Sequence, residues 1–346
     1  MPANAPESVT RFQIGTTCQE LTRAALAAVH APSVLNTQPW HWRITHDTAL
    51  LYADHHRWLA ALDPTGRLLM VSCGTALHHA CVTLAADGVD FEVELIPADG
   101  DPDLLAVVRY RGPAQPSARA QRMRRAIRVR RTDRRPFAGR PVPQDSIDRL
   151  CRAAQRTHAH LHMTWARDIA DLAAAAGQAT AAEMSDPACR AELAAWIRSS
   201  GEGDDGVPVD TLSPLGARPV PIRDFTGTDP GVGIGLGFTS RIDVTDREAR
   251  YGVVVTDGDA ATDWLAAGVT LSAVLLTATA EHLATSAMSD LVEHEVARRT
   301  LRRMIGGVGY PAIGVRIGLP GPGAPPPRAP RRPPTDVIEV VADKIT

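Results

Sequence analysis

The sequence predicts an α+β protein built from two unequal, related halves, and three features of the 346-residue chain support this prediction. Segments with helical periodicity alternate with short apolar segments typical of strands. A pattern found in the first half returns in the second. A long stretch rich in glycine, proline and aspartate, residues 201–237, interrupts the second half. A chain of this length is expected to form two domains or two halves that share a core.

The first half, residues 1–120, is predicted to contain two helices and four strands. The first helix has a face of alanine and leucine with Thr16 or Thr17 as its N-cap. Alternation of apolar and polar residues on both sides of His46-Asp47-Thr48 predicts a hairpin. The helices are Cys18 to His30 and Gly74 to Asp87; the strands are Trp40 to Thr45, Ala49 to Ala53, Phe91 to Ile96 and Leu104 to Tyr110.

The second half, residues 121–346, opens with an arginine-rich run, Arg122 to Arg135. Residues 201–237 have neither helical nor alternating periodicity and are predicted to form a lid over a functional site. The proline-rich C-terminal arm, residues 319–346, is predicted to be extended until a short strand, Val337 to Val341. The predicted helices are Gln144 to Gln155, Asp168 to Ser199 with a break at Pro187, Asp263 to Leu283 and Glu293 to Met304; the predicted strands are His160 to Trp165, Tyr251 to Thr256 and Ile313 to Ile317.

Two pairs of helices match between the halves. Gly74-x-x-Leu77 matches Gly268-x-x-Leu271, 194 positions later (268 − 74), and Leu21 matches Ile147, 126 positions later (147 − 21). The second half therefore has 68 more residues (194 − 126) between its matched helices, and residues 201–237 lie within that interval. The repeat predicts that the lid is an insertion into the second copy of one structural unit.

Composition excludes several classes of function. The formal net charge of −2 lacks the basic excess expected of a nucleic-acid-binding protein. Five cysteines at scattered positions, an odd number, predict reduced thiols in the cytoplasm. No signal peptide is predicted at the N-terminus, and Trp264 to Ala280 is too often interrupted by glycine, serine and threonine for a bilayer span.

The first candidate ligand-binding segment is APSVLNTQPWHW, Ala31 to Trp42. Its prolines, Ser33 and Asn36 break the helix and present backbone amides and small polar groups, which suit hydrogen bonding to the edge of a planar ring. A connector between helix and strand, anchored by Trp40 and Trp42, is the alternative.

The second segment is RVRRTDRRPFAGRPVP, Arg128 to Pro143, in which arginines surround Thr132. Guanidinium groups and a hydroxyl fit a phosphate, because the fork of donors pairs with two of its oxygens. The alternative is a solvated basic linker.

Together these segments resemble the Acg family of the nitroreductase superfamily. The first is similar to the flavin-ring segment of that superfamily, and Arg130-x-Thr132-x-Arg134 is similar to its phosphate segment, although here the order of the two is reversed. The resemblance implies a fused pair of nitroreductase-like halves in which the first supplies ring contacts and the second supplies phosphate contacts. The segments Leu62 to Arg67 and Ser72 to Leu77 and the terminal PRRPPTDVI extend it over most of the chain.

The resemblance implies a set of FMN contacts but no catalytic side chain. Phosphate-side contacts are expected from Arg130, Thr132, Arg134, Arg332 and its neighbour Arg331, with Arg332 as the principal arginine of the terminal Arg-Arg-Pro. Ring contacts are expected from Pro32, Ser33 and Asn36, and contacts near flavin N5 from Ser286, Ala287 and Met288.

Two competing motifs are weaker. Gly231 to Gly237 resembles a dinucleotide loop, but it has no glycine at the required last position and no preceding strand, so part of a lid is the preferred interpretation. His158, His160 and His162 alternate on a predicted strand, but no further ligand is spaced to join them, and we predict no metal site.

Two functions are compatible with these features. The first is an FMN-dependent oxidoreductase that takes a hydride from NADH or NADPH and reduces a small acceptor such as a nitroaromatic or a quinone. The second is a protein that holds FMN beneath the lid with little turnover. Because one chain contains both halves, a monomer with one FMN is expected.

Overall fold

Each predicted half of the chain contributes one β-sheet. The computed structural model describes residues 15–97, 101–155, 157, 159–199, 201–212, 218–225 and 245–341. One sheet has the strand order β11-β1-β2-β4-β3 and the other has the order β5-β8-β10-β9. Their strands are β1 Trp40–Ile44, β2 Thr48–Ala53, β3 Val89–Leu95, β4 Leu104–Pro113, β5 His160–Met163, β8 Arg250–Thr256, β9 Ala284–Met288, β10 Tyr310–Gly318 and β11 Ile338–Val340. The predicted α+β class is confirmed.

Helices pack between and around the two sheets, and two very short strands form a separate parallel pair. The helices are α1 Thr16–Ala28, α2 Arg67–Asp87, α3 Ala118–Val129, α4 Gln144–Ala154, α5 Ile169–Ser185, α6 Pro187–Ala195, α7 Ala261–Ala280, α8 Asp290–Glu293, α9 Glu295–Met304 and α10 Pro334–Val337. The short strands are β6 Ile197–Arg198 and β7 Val207–Pro208. The predicted break at Pro187 is confirmed, since Asp186 ends α5 and caps α6 through a bond from the Ala188 N–H.

The central helices α2 and α7 cross at the two glycines that the repeat matches. A Cβ atom on Gly74 would lie 2.1 Å from the Leu265 carbonyl oxygen, and one on Gly268 would lie 2.0 Å from the Val71 carbonyl oxygen. The two contacts are reciprocal, as expected at a twofold-like interface between related halves. Only glycine permits so close an approach of the backbones.

A second contact obeys the same spacing. His78 Nδ1 lies 2.8 Å from Ser272 Oγ, and these residues are 194 positions apart (272 − 78), as are Gly74 and Gly268 (268 − 74). By length and composition alone, helices α2 and α7 are long and apolar enough to cross a membrane. However, 83% of the most apolar 18-residue stretch of α2 and 67% of that of α7 are buried inside the protein. They form its core.

Four local features differ from the sequence predictions. Helix α1 has Gly15 at its N-cap and no side-chain cap, so Thr16 and Thr17 lie inside the helix instead of capping it. Helix α2 begins at Arg67 rather than at Gly74, because the Asp63 carboxylate accepts hydrogen bonds from the Leu68 and Leu69 N–H groups at 2.9 Å. The first part of the arginine-rich run is helix α3, which was not predicted. Strand β9 was not predicted either, and it pairs with β10 along its whole length.

The C-terminal arm returns to the first half. It adds β11 parallel to β1, with Trp42 opposite Ile338, so residues assigned to the second half by sequence extend the sheet of the first. The structure describes residues 201–212 and 218–225 of the predicted lid; the remaining residues of that prediction, Gly231 to Gly237 among them, and His158 lie outside the described residues.

Candidate functional site

The segment between α1 and β1 has an uncommon backbone conformation. Leu35, Asn36 and Gln38 have φ angles of 48, 56 and 52°, a region that residues other than glycine seldom adopt. Asn36 fixes this segment, because its Nδ2 donates to the carbonyl oxygens of Gly206 and Pro330 at 3.0 Å each. Such strained backbone persists only where surrounding contacts enforce it, and it concentrates at functional sites.

Ser33 lies at the start of this segment and faces a cavity. Its Oγ accepts a hydrogen bond from the Gln38 N–H at 2.9 Å, which leaves the hydroxyl hydrogen for another acceptor. The Val34 N–H donates to Ser72 Oγ on α2 at 3.2 Å, so the segment is attached to the core helix beside it. Pro32 and Ser33 are thereby held in a cavity wall.

The arginine-rich segment after α3 forms neither helix nor strand. Arg130, Thr132 and Arg134 line the cavities. Asp133, between them, pairs instead with Arg135, whose Nε and Nη2 donate to its carboxylate at 2.9 and 2.8 Å. The Asp133 N–H also donates to a carbonyl of strand β9 at 2.9 Å. These bonds fix the segment beside the cavities.

Two adjoining cavities share this wall, and we call them the inner and the outer cavity. Both are lined by Pro32, Ser33, Arg130, Thr132 and Arg134. A ligand could therefore extend from one cavity into the other past these residues.

The inner cavity has an apolar wall and a polar edge. Its apolar lining comes mainly from α2, α7 and the second sheet: Val71, Leu271, Leu275, Met288 and Ile313. Its polar lining includes Ser72, Thr75, Thr285, Ser286 and Asp290. A pocket with this composition favours a flat, partly apolar ligand with hydrogen-bonding groups along one edge.

The outer cavity is strongly basic. It is lined by Arg128, Arg130, Arg131, Arg134, Arg328 and Arg331. Among the described residues, none of these six arginines forms an ion pair with a carboxylate within 4.0 Å. Arg130 is only 8% exposed, and its Nε has no hydrogen-bond partner within the described part of the chain. Buried polar atoms are normally paired, so this group is arranged for a ligand that accepts hydrogen bonds.

The electrostatics of the cluster favour an anion. Burial, together with the charges of Arg331, Arg131 and Arg134, lowers the pKa of Arg130 to about 9. Burial likewise lowers the pKa of Arg134 and that of Arg331 to about 10 each. These guanidinium groups remain charged at neutral pH, and the lowered pKa values reflect the cost of holding like charges together away from water. An anionic ligand would offset that cost.

Most of the residues predicted from sequence are brought together in these cavities. Arg130, Thr132, Arg134, Pro32 and Ser33 line both cavities; Ser286, Ala287 and Met288 line the inner cavity, and Arg331 and Asn36 line the outer one. The sequence motifs therefore converge from the first half, the second half and the C-terminal arm.

Arg332 is placed elsewhere, unlike its predicted role. Its Nη1 donates to the Gln38 carbonyl and to the Asp54 carboxylate at 3.1 Å each, and it lines neither cavity. Neighbouring side chains of the extended arm diverge, so Arg331 reaches the outer cavity, where its Nη1 donates to Asn36 Oδ1 at 3.0 Å. Of the two predicted arginines, Arg331 is therefore the one that lines the outer cavity.

Asn36 also differs from its predicted position. It does not line the inner cavity, where a ring contact was expected, and its side-chain oxygen and nitrogen are bonded to Arg331, Gly206 and Pro330. Asn36 therefore positions the strained segment and Arg331 rather than offering its amide to a ligand in the inner cavity.

Several lining residues were not predicted. Ser72 and Thr75 lie one turn apart on α2 and line the inner cavity. Both belong to the segment Ser72 to Leu77, which resembles the family, but no ligand contact was predicted for them. Ile222, Arg223 and Phe225 come from the predicted lid, and no motif marked them. The Arg134 guanidinium carbon lies 5.4 Å from the centre of the Phe225 ring, so the described part of the predicted lid contacts the arginine segment.

The chain has substantial likeness to proteins of Mycobacterium tuberculosis strain H37Rv. It is 34% identical over 324 residues to a "Putative NAD(P)H nitroreductase", an alignment that covers 92% of this chain and 91% of the relative. It is 32% identical over 336 residues to the "Putative NAD(P)H nitroreductase acg", covering 94% of this chain and 97% of the relative.

Other comparisons gave less. No protein-family model matches the chain. Among solved structures, a nitroreductase with bound FMN from Bacteroides fragilis aligns at a TM-score of 0.36 and 11% identity, covering 58% of this chain and 90% of that chain.

Proposed function

We propose that this chain, which belongs to the Acg family of nitroreductase-like proteins, is an FMN-dependent oxidoreductase. NADH or NADPH would be the electron donor, and a small organic molecule such as a nitroaromatic or a quinone would be the acceptor. The observation that carries this proposal is the arginine cluster without carboxylate partners, placed beside a cavity with an apolar wall.

The residues present fit FMN. Arg130, Thr132 and Arg331 would hold the phosphate in the outer cavity, where they provide charged donors and a hydroxyl. Ser33 and Arg134, at the junction of the cavities, would contact the ribityl chain and the near edge of the ring. The ring would occupy the inner cavity, whose lining is apolar on one side and polar along its edge.

Bound flavin supplies the redox chemistry, since it accepts a hydride and passes electrons to the acceptor. The chain's own residues orient and shield the reactants. Val71, Leu271 and Leu275 exclude water from the inner cavity. Arg134 places positive charge at the cavity junction, which stabilises the negative charge that accompanies reduction.

We propose one such site per chain and a monomeric protein. The ring-side residues come from residues 31–42, the phosphate-side residues come from residues 130–134, and the C-terminal arm contributes Arg331. One chain thus contains all the elements of the site. Absorbance of bound flavin measured against protein mass should give one FMN per chain, and two FMN per chain would contradict this stoichiometry.

Anaerobic mixing of the FMN-loaded protein with NADPH, and separately with NADH, tests the activity. An oxidoreductase loses the oxidised flavin absorbance band on mixing and regains it when a quinone is added. A protein that binds FMN tightly but keeps the oxidised band with both donors would contradict the proposal.

The second candidate function is storage of FMN, and one observation favours it. Ile222, Arg223 and Phe225 of the predicted lid lie in the wall of the inner cavity, and Arg223 is held by hydrogen bonds to Glu183 and Glu293. A wall fixed in this way would limit access to the flavin. Tight FMN binding without reduction by either donor is the result that this candidate predicts.

A further inference from the structure

A cluster of buried charged groups adjoins the inner cavity. Arg223 Nη2 donates to Glu183 Oε1 at 2.9 Å and also to Glu293 Oε2. The side chains of Glu183, Glu293 and Arg223 are 2%, 0% and 7% exposed. Asp290, on the same short helix as Glu293, is 3% exposed and lines the inner cavity beside Arg223.

The cluster has more carboxyl groups than its one arginine can neutralise. If Glu183, Glu293 and Asp290 were all ionised, these three carboxylates together with Arg223 would carry a net charge of −2, which is costly away from water. Glu183 and Glu293 both accept a hydrogen bond from the same nitrogen of Arg223, so their carboxyl groups lie close together, and of two carboxyl groups that share a buried site one keeps its proton. The cluster therefore stores a proton.

The pKa values follow from this crowding. Burial raises the pKa of Glu183 to about 8, with Glu293 and Asp290 raising it further against the opposing effect of Arg223. Burial also raises the pKa of Asp290 to about 6, against Arg223 and with Glu293. The pKa of His294 is lowered by burial, so this histidine is neutral at pH 7 and adds no compensating charge.

Asp290 is the member of the cluster that faces a ligand. Its Oδ2 is buried and has no hydrogen-bond partner among the described residues, although it lies in the wall of the inner cavity. Glu183 and Glu293 already hold Arg223 of the predicted lid in place, so Asp290 is not needed as an anchor. The unpaired oxygen of Asp290 is therefore left to interact with a molecule in the cavity.

We propose that Asp290 is the general acid for acceptors bound in the inner cavity, and that it receives the proton it delivers from the Glu183–Glu293 pair. This inference rests on the proposed function. Reduction of a quinone to a hydroquinone adds one hydride and one proton, and bound flavin supplies the hydride. A proton first passes from the pair to the Asp290 carboxylate; the Asp290 O–H bond then breaks as a new O–H bond forms on the acceptor oxygen, and the pair regains a proton from water.

The test separates proton transfer from electron transfer. FMN-loaded protein is reduced with one equivalent of dithionite and then reoxidised either with 1,4-benzoquinone, which needs a proton, or with ferricyanide, which does not. Asp290→Asn should slow reoxidation by the quinone about hundredfold, as expected for loss of a general acid, and should leave the ferricyanide rate unchanged. Glu295→Gln, which removes an exposed carboxylate nearby in sequence, should alter neither rate.

Two results would overturn the assignment. Equal quinone rates in Asp290→Asn and wild type would show that Asp290 donates no needed proton, and an equal slowing with both oxidants would show a structural role. A wild-type protein that binds no FMN would instead contradict the proposed function and remove this proposal with it.

A second measurement does not require FMN or turnover. Infrared spectra of the flavin-free protein should show a protonated carboxyl group at pH 7 that is lost on titration to higher pH. In Glu183→Gln that carboxyl signal should be reduced, whereas in Glu295→Gln it should persist. A wild-type spectrum with only ionised carboxylates at pH 7 would contradict the stored proton, whatever the activity of the variants.

Discussion

Arg223 and Arg130 both lie in the wall of the inner cavity, and both are buried, but their surroundings are opposite. Arg223 is hydrogen-bonded to two carboxyl groups. Burial would lower its pKa, but the surrounding carboxylates outweigh burial and raise the pKa above its usual value. Arg130 has other arginines as its neighbours, and its pKa is lowered to about 9 by burial and by their charges.

The difference separates an arginine that stabilises the fold from one that prepares a site. Within the described residues the charge of Arg223 is compensated by the protein itself, whereas the charge of Arg130 lacks a carboxylate partner. Removing Arg223 leaves buried carboxylates without a compensating charge. Removing Arg130 relieves repulsion among the arginines but deprives a bound anion of its partner.

The largest effect is expected for Arg223→Met. Loss of the guanidinium leaves the ionised carboxylates of the cluster buried without a counter-charge, and the free energy of unfolding should fall by about 3–5 kcal/mol. Urea denaturation of the flavin-free protein measures it, with the exposed Arg140→Met as control. A loss no larger than that of the control would contradict the compensation described for Arg223.

The next effect concerns two adjacent arginines of the C-terminal arm. Arg331→Ala should weaken FMN binding about ten- to hundredfold, because a hydrogen bond from a charged donor contributes about 1.5–3 kcal/mol. Arg332→Ala removes the ion pair with Asp54 and should change FMN affinity less than about threefold. Isothermal titration with FMN compares them; a greater loss of affinity in Arg332→Ala would restore the assignment made from sequence.

The stability of the protein should also respond to pH through Glu183. Its pKa in the folded state, about 8, exceeds the value of about 4.3 expected in the unfolded chain. The protonated form is therefore favoured by folding, and the free energy of unfolding should fall as the pH rises from about 4 to 8. In Glu183→Gln this decline should be shallower, whereas Glu295→Gln should follow the wild type; parallel curves for all three proteins would contradict the raised pKa.

The smallest effect is expected for Arg130→Met in the flavin-free protein. The substitution removes one charge from a group of like charges and keeps apolar volume in the wall. The free energy of unfolding should therefore change by less than about 1 kcal/mol, or increase slightly. A loss comparable to that of Arg223→Met would mean that Arg130 stabilises the fold in the same way.

Much of the fold could be predicted from sequence, because local patterns determine it. Most of the order of helices and strands followed from apolar periodicity, and the repeat matched Gly74 with Gly268, the glycines at which the structure brings the two helices together. The short motif Arg130-x-Thr132-x-Arg134 marked three residues that line both cavities. These features depend on residues close together in the chain.

The remainder depends on tertiary contacts that no local pattern encodes. Strand β9 consists of small residues with little intrinsic preference for strands and exists because it pairs with β10. Helix α3 was not predicted because its many arginines make the apolar periodicity of Ala120, Met123 and Ile127, which form its buried face, hard to recognise. The carboxylates that hold Arg223 come from distant parts of the chain, so only the structure brings them together.

The central claim is that Arg130 and its neighbours in the outer cavity bind the phosphate of FMN, and comparison of FMN with riboflavin tests it most directly. Riboflavin has the same ring and ribityl chain but no phosphate. The wild-type protein should bind FMN at least about a hundredfold more tightly than riboflavin, as loss of two charged hydrogen bonds implies. Arg130→Ala should lose about tenfold or more of that preference and leave riboflavin affinity nearly unchanged, whereas Arg122→Ala should retain the full preference. Equal affinity of the wild-type protein for the two flavins, or an undiminished preference in Arg130→Ala, would contradict the assignment.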